Sequence, residues 1–330
     1  MMKKLALFIL WASGILFVHA QLPQKGMWKD TDGNFINAHA AGIMKYKNTY
    51  YWYGENKGGF TSQDPTSHIE RVIMGGVNCY SSKDLLTWKF EGVVLPPEPN
   101  DRNSDLHPSK VIERPKVIYN KKTKQFVMWV HAESADYSKA CAGVAVSKTP
   151  TGPFKYLGSF RPNGGMSRDQ TLFVDDDGTA YQICSSEENQ TLHINRLTPD
   201  YLKCDGTYKR ALIGMSREAP AVFKYKGKYY LLSSGCTGWA PNKADIAVAD
   251  SIMGEWTMLG NPCVSENGDK TYMGQSTFVL PLKDRFIALF DEWHPRNLSD
   301  SRYFWLPIEI DKKTDRMTIP WREVWEGIKP

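Results

Sequence analysis

Five segments of the chain repeat one pattern of apolar strand, short polar turn and aromatic-rich strand: residues 42–55, 115–133, 171–187, 220–235 and 276–293. Each reads as a β-hairpin. Between them lie hairpins of a second kind, at 77–95, 142–160, 192–211, 245–260 and 303–325. Two hairpins per unit make four strands per unit, recurring at roughly 50-residue spacing, which is the blade of a β-propeller. Tyr, Trp, Val and Ile alternate with polar residues at nearly every strand, and few stretches show helical periodicity. The pattern therefore predicts an all-β five-bladed β-propeller with four antiparallel strands per blade. A β-sandwich with long loops would leave the regular alternation of two hairpin types unexplained. Repetition also accounts for the size, because about 310 residues exceed what one simple core of roughly 250 residues supports.

That length excludes the first 20 of the 330 residues. Lys3 and Lys4 precede an apolar run from Leu5 to Val18 that ends at Ala20, which reads as a cleaved secretory signal peptide. Ser13 and Gly14 interrupt the run, and it is short for a membrane span of about 20 residues. No cysteine follows Ala20 to carry a lipid anchor. The expected organisation is a signal peptide over 1–20 and a single propeller catalytic domain over 21–330, with Gln21 as the mature start and a secreted or periplasmic location. No appended binding domain is expected after the fifth repeat.

Loss of Lys3 and Lys4 takes the formal charge from +5 to +3. That is too weak a balance to argue for nucleic acid. The six cysteines (Cys79, Cys141, Cys184, Cys204, Cys236, Cys263) show no C-x-x-C and no zinc spacing, so no metal site is assigned. Export permits disulfides, but the spacing assigns no pairing. Several of these thiols sit in apolar runs and read as buried free cysteines.

The repeats share a register. Nine residues after His39, Asp169, Glu218 and Gln275 come Asn48, Gly178, Gly227 and Asp284, all turn formers at the tip of the inner hairpin. Glu113 holds the same place before the second copy, whose turn over 121–124 is longer. Five polar or ionisable residues thus begin the five innermost strands, and in a propeller those starts converge on one end of the axial channel.

Glu113, Asp169 and Glu218 occur in V-I-E-R-P, M-S-R-D-Q-T and M-S-R-E-A-P. Any one of them alone would read as a turn cap or as the surface partner of the adjacent Arg114, Arg168 or Arg217. Three carboxylates at one repeated position aimed at an axis point instead to chemistry. Inverting glycoside hydrolysis needs a protonated acid at the leaving oxygen and a second carboxyl group about 6.5–9.5 Å away. Burial and neighbouring negative charge are the means of keeping that acid protonated.

The motifs R-D-Q-T-L-F-V-D-D-D-G from Arg168 and S-R-E-A-P-A-V-F-K-Y-K-G-K-Y-Y-L from Ser216 are similar to glycoside hydrolase family 43. H-A-A-G-I-M-K-Y from His39, Y-Y-W-Y-G-E ending at Glu55, E-R-P-K-V-I-Y-N from Glu113 and Y-M-G-Q-S-T around Gln275 resemble, more narrowly, its exo-β-1,3-galactanase branch. The resemblance runs along essentially the whole mature chain. It implies Glu218 as general acid, Asp169 as the group that tunes it and holds sugar hydroxyls, Glu113 as completing the set, and Gln275 as the residue that positions or activates the water. The family's general-base aspartate at the start of the first blade is replaced here by Asn37-Ala38-His39. From the residues alone a neutral amide is a poor base and Glu113 is the better proton acceptor, and both assignments stand open at this stage.

The resemblance also places Glu55 and Tyr137 among sugar contacts, although either reads as ordinary hairpin-end polarity. Trp239 reads equally as a sugar platform or as core. Asn189, Thr237 and His39 complete the candidate binding set. The implied function is a galactose-releasing exo-β-1,3-galactosidase acting on galactan or arabinogalactan. The alternatives are an α-L-arabinofuranosidase, β-xylosidase or galactofuranosidase of the same fold, or a non-catalytic carbohydrate-binding propeller. The expected partner is an oligo- or polysaccharide, with no nucleic acid, membrane or obligate protein partner. No cofactor is required, while a structural calcium or sodium ion in the axial channel is compatible with the fold. Asp175-Asp176-Asp177-Gly178 looks like part of a calcium loop, but it lacks the later bidentate Glu and coincides with a hairpin turn.

Overall fold

The structure, a computed structural model, describes residues 21–328 apart from 64, 66, 67 and 284. The expected signal peptide and Asp284 lie outside the described residues. Five four-stranded antiparallel sheets follow one another along the chain, each built from contiguous sequence. Their innermost strands are His39–Tyr46, Val111–Asn120, Gln170–Val174, Arg217–Tyr225 and Gln275–Pro281, and each blade then steps outward through three more strands. Each innermost strand contacts the next, and the fifth contacts the first, so the ring closes. The expected propeller and its blade count are observed. The shared register is observed too: Gly178 and Gly227 occupy inner-hairpin turns with φ of 85° and 78°, where a side chain would be strained.

Two features depart from the sequence reading. The hairpin expected over 303–325 consists of Arg302–Ile310 and Met317–Thr318 only. Pro320 lacks the amide needed to continue the ladder, and Val324–Trp325 instead leaves the blade to pair with Leu22–Pro23 near the other end of the chain. A small extra hairpin, Thr61–Gln63 with Glu70–Val72, is inserted between the second and third strands of blade one.

Blade five meets blade one over a cluster of tryptophans drawn from both ends of the chain. Trp28, Trp52, Trp88, Trp305 and Trp325 are all buried there. Trp52 lies 4.9 Å from Trp305 and 5.2 Å from Trp88 between ring centroids, and its indole N–H donates to the Ala38 carbonyl at 2.9 Å. Large aromatic surfaces buried edge to face supply area and geometry together, and the pairing of Leu22–Pro23 with Val324–Trp325 is far too short to close the ring by hydrogen bonds alone. Trp52→Ala is therefore expected to destabilise the protein by about 3–5 kcal/mol, the usual cost of deleting a buried Trp, read as a lowered urea midpoint. A change within about 0.5 kcal/mol, the scale of a neutral surface substitution, would show that closure lies elsewhere.

Candidate active site

The strand starts point to the axis because their ladders break there. In blades one, two and four the register shifts between His39 and Gly42, between Glu113 and Lys116, and between Glu218 and Ala221. A β-bulge of this kind re-aims a side chain. The residue after each candidate, namely Ala40, Arg114 and Ala219, is left-handed, with φ of 47°, 52° and 53°. Non-glycine residues held there cost about 1–3 kcal/mol each and persist only where the surroundings over-determine them.

The surroundings do so by one repeated device. The bulge N–H donates to a carboxylate of the preceding blade: Ala40 to Asp291 Oδ2 (2.9 Å), Arg114 to Glu55 Oε1 (3.0 Å) and Ala219 to Asp169 Oδ2 (3.1 Å). The bulge carbonyl accepts from a side chain of the following blade: Ala40 from Lys116 Nζ (2.9 Å), Arg114 from Gln170 Nε2 (2.7 Å) and Ala219 from Ser276 Oγ (2.9 Å).

A cavity of ≈ 460 Å³ opens at this end of the axis, lined by Glu55, Lys57, Glu113, His131, Asp169 and Glu218 among others. Its size falls in the range of small-ligand sites, roughly 300–1,000 Å³. A second cavity, of ≈ 370 Å³, opens around Gly42, Lys116, Leu172 and Phe278 and shares no lining residue with the first. The channel between them is plugged by the Lys116 and Gln170 contacts. The upper pocket is consequently closed at its floor.

Three of the four pocket carboxylates that converge on the axis carry a cation. Glu55 Oε2 meets Lys57 Nζ at 2.6 Å, Asp169 Oδ2 meets Arg114 Nη2 at 2.8 Å, and Glu113 Oε2 meets His131 Nδ1 at 3.3 Å. Glu218 makes no ion pair among the described residues. Burial raises its carboxyl, and repulsion from Asp169 adds to this. Attraction to Arg114 only partly opposes them, which leaves the group at about 8. Glu113 goes the other way. Burial would raise it, but the close contact with His131 and the charges of Lys57 and His131 outweigh that and hold it at about 2. His131 is lifted to about 9 against its own burial by its contact with Glu113 and its hydrogen bond to Glu133. Lys57, Arg114 and His131 thus each face a pocket carboxylate, His131 also meeting Glu133 behind the wall, while Glu218 has no such pair and keeps its proton near neutral pH.

Glu113, His131 and Asp169 offer donor atoms within 4.8 Å of one another. Arg114 and Lys57 already bring positive charge to the same carboxylates, at 2.8 Å from Asp169 and 3.6 Å from Glu113.

Glu113, Asp169, Glu218, Glu55, Tyr137, Asn189 and Trp239 all line this one pocket. The Tyr137 hydroxyl donates to Glu113 Oε1 at 2.8 Å. Asn189 Oδ1 and Trp239 Nε1 are buried polar atoms without a protein partner, so a ligand hydroxyl or water is what can satisfy them. Gln275 lies behind the lining residues Arg114 and Trp293. Its amide oxygen accepts from Arg114 Nη2 (2.6 Å) and Trp293 Nε1 (3.0 Å), while its Nε2 donates to Ser234 Oγ (3.1 Å). Two donors facing one end of the amide fix which end is oxygen.

Two candidates leave the binding set. His39 is 1% exposed and stacks on Tyr303. Nδ1 is engaged by Asp291 at 3.0 Å and Nε2 by the Tyr303 hydroxyl at 3.1 Å, so it anchors the bulge and does not face a sugar. Thr237 donates to the Ala240 carbonyl and accepts from Asn242 Nδ2, bracing its own loop beside the pocket without lining it. Asp291 is engaged by His39 and the Ala40 backbone N–H and is not among the residues lining this pocket.

Arg114, Lys57, His131 and Trp293 were not among the sequence candidates. Arg114, read as a possible surface partner of Glu113, is instead buried and reaches across the axis to Asp169, Gln275 and the Ser276 carbonyl. Its place in E-R-P marked it only as adjacent. Lys57 and Trp293 follow the ends of inner hairpins and His131 lies near the end of the strand Gln125–Glu133, positions that carry no residue-type signal. All six cysteines are free thiols, four of them buried.

The family model of the glycosyl hydrolases family 43 matches residues 36–285. Among solved structures, the chain is 42% identical to a family 43 β-1,3-galactosidase determined with galactodeoxynojirimycin, at a TM-score of 0.85 and covering 92% of this chain and 99% of that one. It is 36% identical to a variant of an exo-β-1,3-galactanase from Phanerochaete chrysosporium bound to β-1,3-galactotriose, at a TM-score of 0.85, covering 94% of this chain and 68% of that one. It is 37% identical to an exo-β-1,3-galactanase from Clostridium thermocellum, at a TM-score of 0.81, covering 92% of this chain and 66% of that one. The chain thus spans about two thirds of the latter two proteins. Among curated proteins none matches.

The Glu113–His131 pair has a pH signature. Glu113 drops from 4.5 to about 2 on folding, so its contribution is present above 4.5 and lost as pH falls through about 2. His131 rises from 6.5 to about 9, so its contribution is complete below 6.5 and lost as pH rises through about 9. The pair stabilises most between these windows. His131→Gln is expected to flatten the decline of the urea midpoint between pH 6.5 and about 9, and an unchanged slope would show that His131 is not charged in the native protein.

Proposed function

The chain belongs to glycosyl hydrolases family 43, and from that premise we propose that it is an inverting exo-β-1,3-galactosidase, releasing galactose from the ends of β-1,3-galactan and arabinogalactan chains. The observation that carries the reading is the lone uncompensated carboxyl, Glu218, in a pocket whose floor is closed. Exo action is supported by the similar solved proteins, two of which are exo-β-1,3-galactanases. A carboxyl held protonated near neutral pH is of no use to a purely binding propeller and is what a general acid requires.

Glu218 donates its proton to the glycosidic oxygen as the bond to the leaving sugar breaks. Asp169, paired with Arg114, supplies the negative charge that keeps that proton in place and is positioned to accept from sugar hydroxyls. The water's role is shared. Both lone pairs of the Gln275 amide oxygen are directed at Arg114 and Trp293, so only an Nε2 hydrogen is left to orient a water. It lies beside Ser234, the ladder partner of Glu218. Glu113, one of the ionised groups lining the pocket, takes the water's proton. The galactan assignment is supported by the ligands of the similar proteins, a galactose-like iminosugar and β-1,3-galactotriose. Export is supported by the tripartite pattern of residues 1–20, and protein starting at or near Gln21 is expected outside the cytoplasm on N-terminal sequencing.

Glu218→Gln is expected to keep the fold and lower kcat on β-1,3-galactobiose by at least about 10²-fold, with a much smaller loss on a dinitrophenyl galactoside, whose departure needs little protonation. In the unaltered protein kcat/KM is expected to fall as pH rises through about 8, where Glu218 of the free enzyme ionises. Equal losses on both substrates would remove Glu218 from the role. Gln275→Ala is expected to damage turnover as Glu113→Gln does, with azide rescuing only the Glu113 variant. Near-normal turnover in Gln275→Ala would leave the water to Glu113 alone.

A further inference from the structure

Lys57 is 6% exposed yet carries its charge into the pocket wall. Its ammonium meets Glu55 Oε2 at 2.6 Å and Glu113 Oε1 at 3.6 Å, so one cation is shared by two carboxylates. It lies 5.8 Å from the ring centroid of Trp293 and 6.0 Å from that of Trp239. Two aromatic faces at that range favour a cation and exclude water. Its backbone N–H is tied to Asn37 Oδ1 at 2.7 Å, fixing the segment that delivers it. A flexible side chain held by two acids and two indoles has one location.

The two acids depend on it unequally. Glu113 keeps His131 and the Tyr137 hydroxyl as further partners, with Glu133 behind His131. Among the described residues Glu55 keeps only the Arg114 backbone N–H as a further hydrogen-bond partner. The Arg114 guanidinium is bonded to Asp169 and Gln275 and attracts Glu55 only through space, as does the buried Lys116 that is tied to the Ala40 carbonyl, and the nearby His39 is held by Asp291 and Tyr303. Glu113, Asp169 and Asp291 all bear negative charge around the same axis. Glu55 is buried deeply enough that its carboxyl is raised even with Lys57 in place.

We propose that Lys57 is a positioning residue that keeps Glu55 and Glu113 in the carboxylate form, so that the pocket holds a single carboxyl proton and holds it on Glu218. The proton's location is then set by which acids have counter-charges and not by Glu218 alone. Without Lys57, Glu55 takes up a second proton and turns from a hydroxyl acceptor into a donor toward the sugar. The consequence for catalysis rests on the galactosidase reading above, whereas the protonation count does not.

The test uses the neutral variants Lys57→Met and Lys57→Gln beside the cation-retaining Lys57→Arg, in protein labelled with 13C at the glutamate carboxyl. At pH about 6, between the ordinary carboxyl range and Glu218, NMR of the unaltered protein is expected to show one protonated carboxyl that disappears in Glu218→Gln. The Met and Gln variants are expected to show two, and the Arg variant one. On β-1,3-galactobiose, kcat/KM of the neutral variants is expected to fall at least ~10-fold at that pH, to recover as pH rises toward the ionisation of Glu218, and to be largely restored in Lys57→Arg. A single protonated carboxyl in both neutral variants would overturn the proposal, as would a loss equal at every pH and in all three variants. If the carboxyl counts change as expected while the unaltered protein cleaves no galactoside, the inference stands and the galactosidase reading falls.

Discussion

The strained bulge at the head of the inner strands of blades one, two and four is the constraint on which this molecule depends. Ala40, Arg114 and Ala219 are held left-handed by a carboxylate from the blade before and a donor from the blade after. A strained residue whose two free backbone groups are each claimed by a different blade cannot relax without breaking contacts with both neighbours. The same contact therefore sets the angle of the blades and the aim of the candidate side chains. It also explains why Asp169 and Glu55 have two duties, one oxygen of each serving the backbone of the next blade while the group faces the pocket.

Because those carboxylates are structural as well as chemical, their charges must be neutralised inside a site with little water. Removing a carboxylate from water costs several kcal/mol unless it is paired, and Lys57, Arg114 and His131 meet that cost for Glu55, Asp169 and Glu113. Glu218 is left without a cation, so protonation is its route to neutrality. The acid is thereby defined by its neighbours' partners. A propeller axis suits this arrangement, since five strands deliver acids and bases from segments distant in sequence to within a few ångströms.

At the head of the first inner strand His39 meets Asp291 from blade five, and the two satisfy each other and the Ala40 bulge, with Tyr303 closing the other imidazole nitrogen. A buried, fully hydrogen-bonded pair of this kind is costly to disturb and gains nothing from facing a substrate. The carboxylates at the strand heads that do face the pocket lie further round the ring, Glu113 on blade two, Asp169 on blade three and Glu218 on blade four.

The sequence by itself determined the propeller, its blade count and the set of residues that begin the inner strands, because strand alternation and turn chemistry are local and repeat five times. It also brought Glu113, Asp169 and Glu218 together, since a shared register in a closed ring leaves them one place to meet. It could not separate His39 from that set, because position in a repeat says nothing of whether a neighbour from another blade has claimed the side chain. Arg114 looked like a surface partner and Lys57, His131 and Trp293 carried no signal, for the contacts that matter cross between blades. The fate of Val324–Trp325, which leaves blade five for Leu22–Pro23, was likewise decided by ring closure. Tertiary structure alone decided which acid is paired and which is not, because protonation follows the summed charge and burial around a group and no stretch of chain contains that sum.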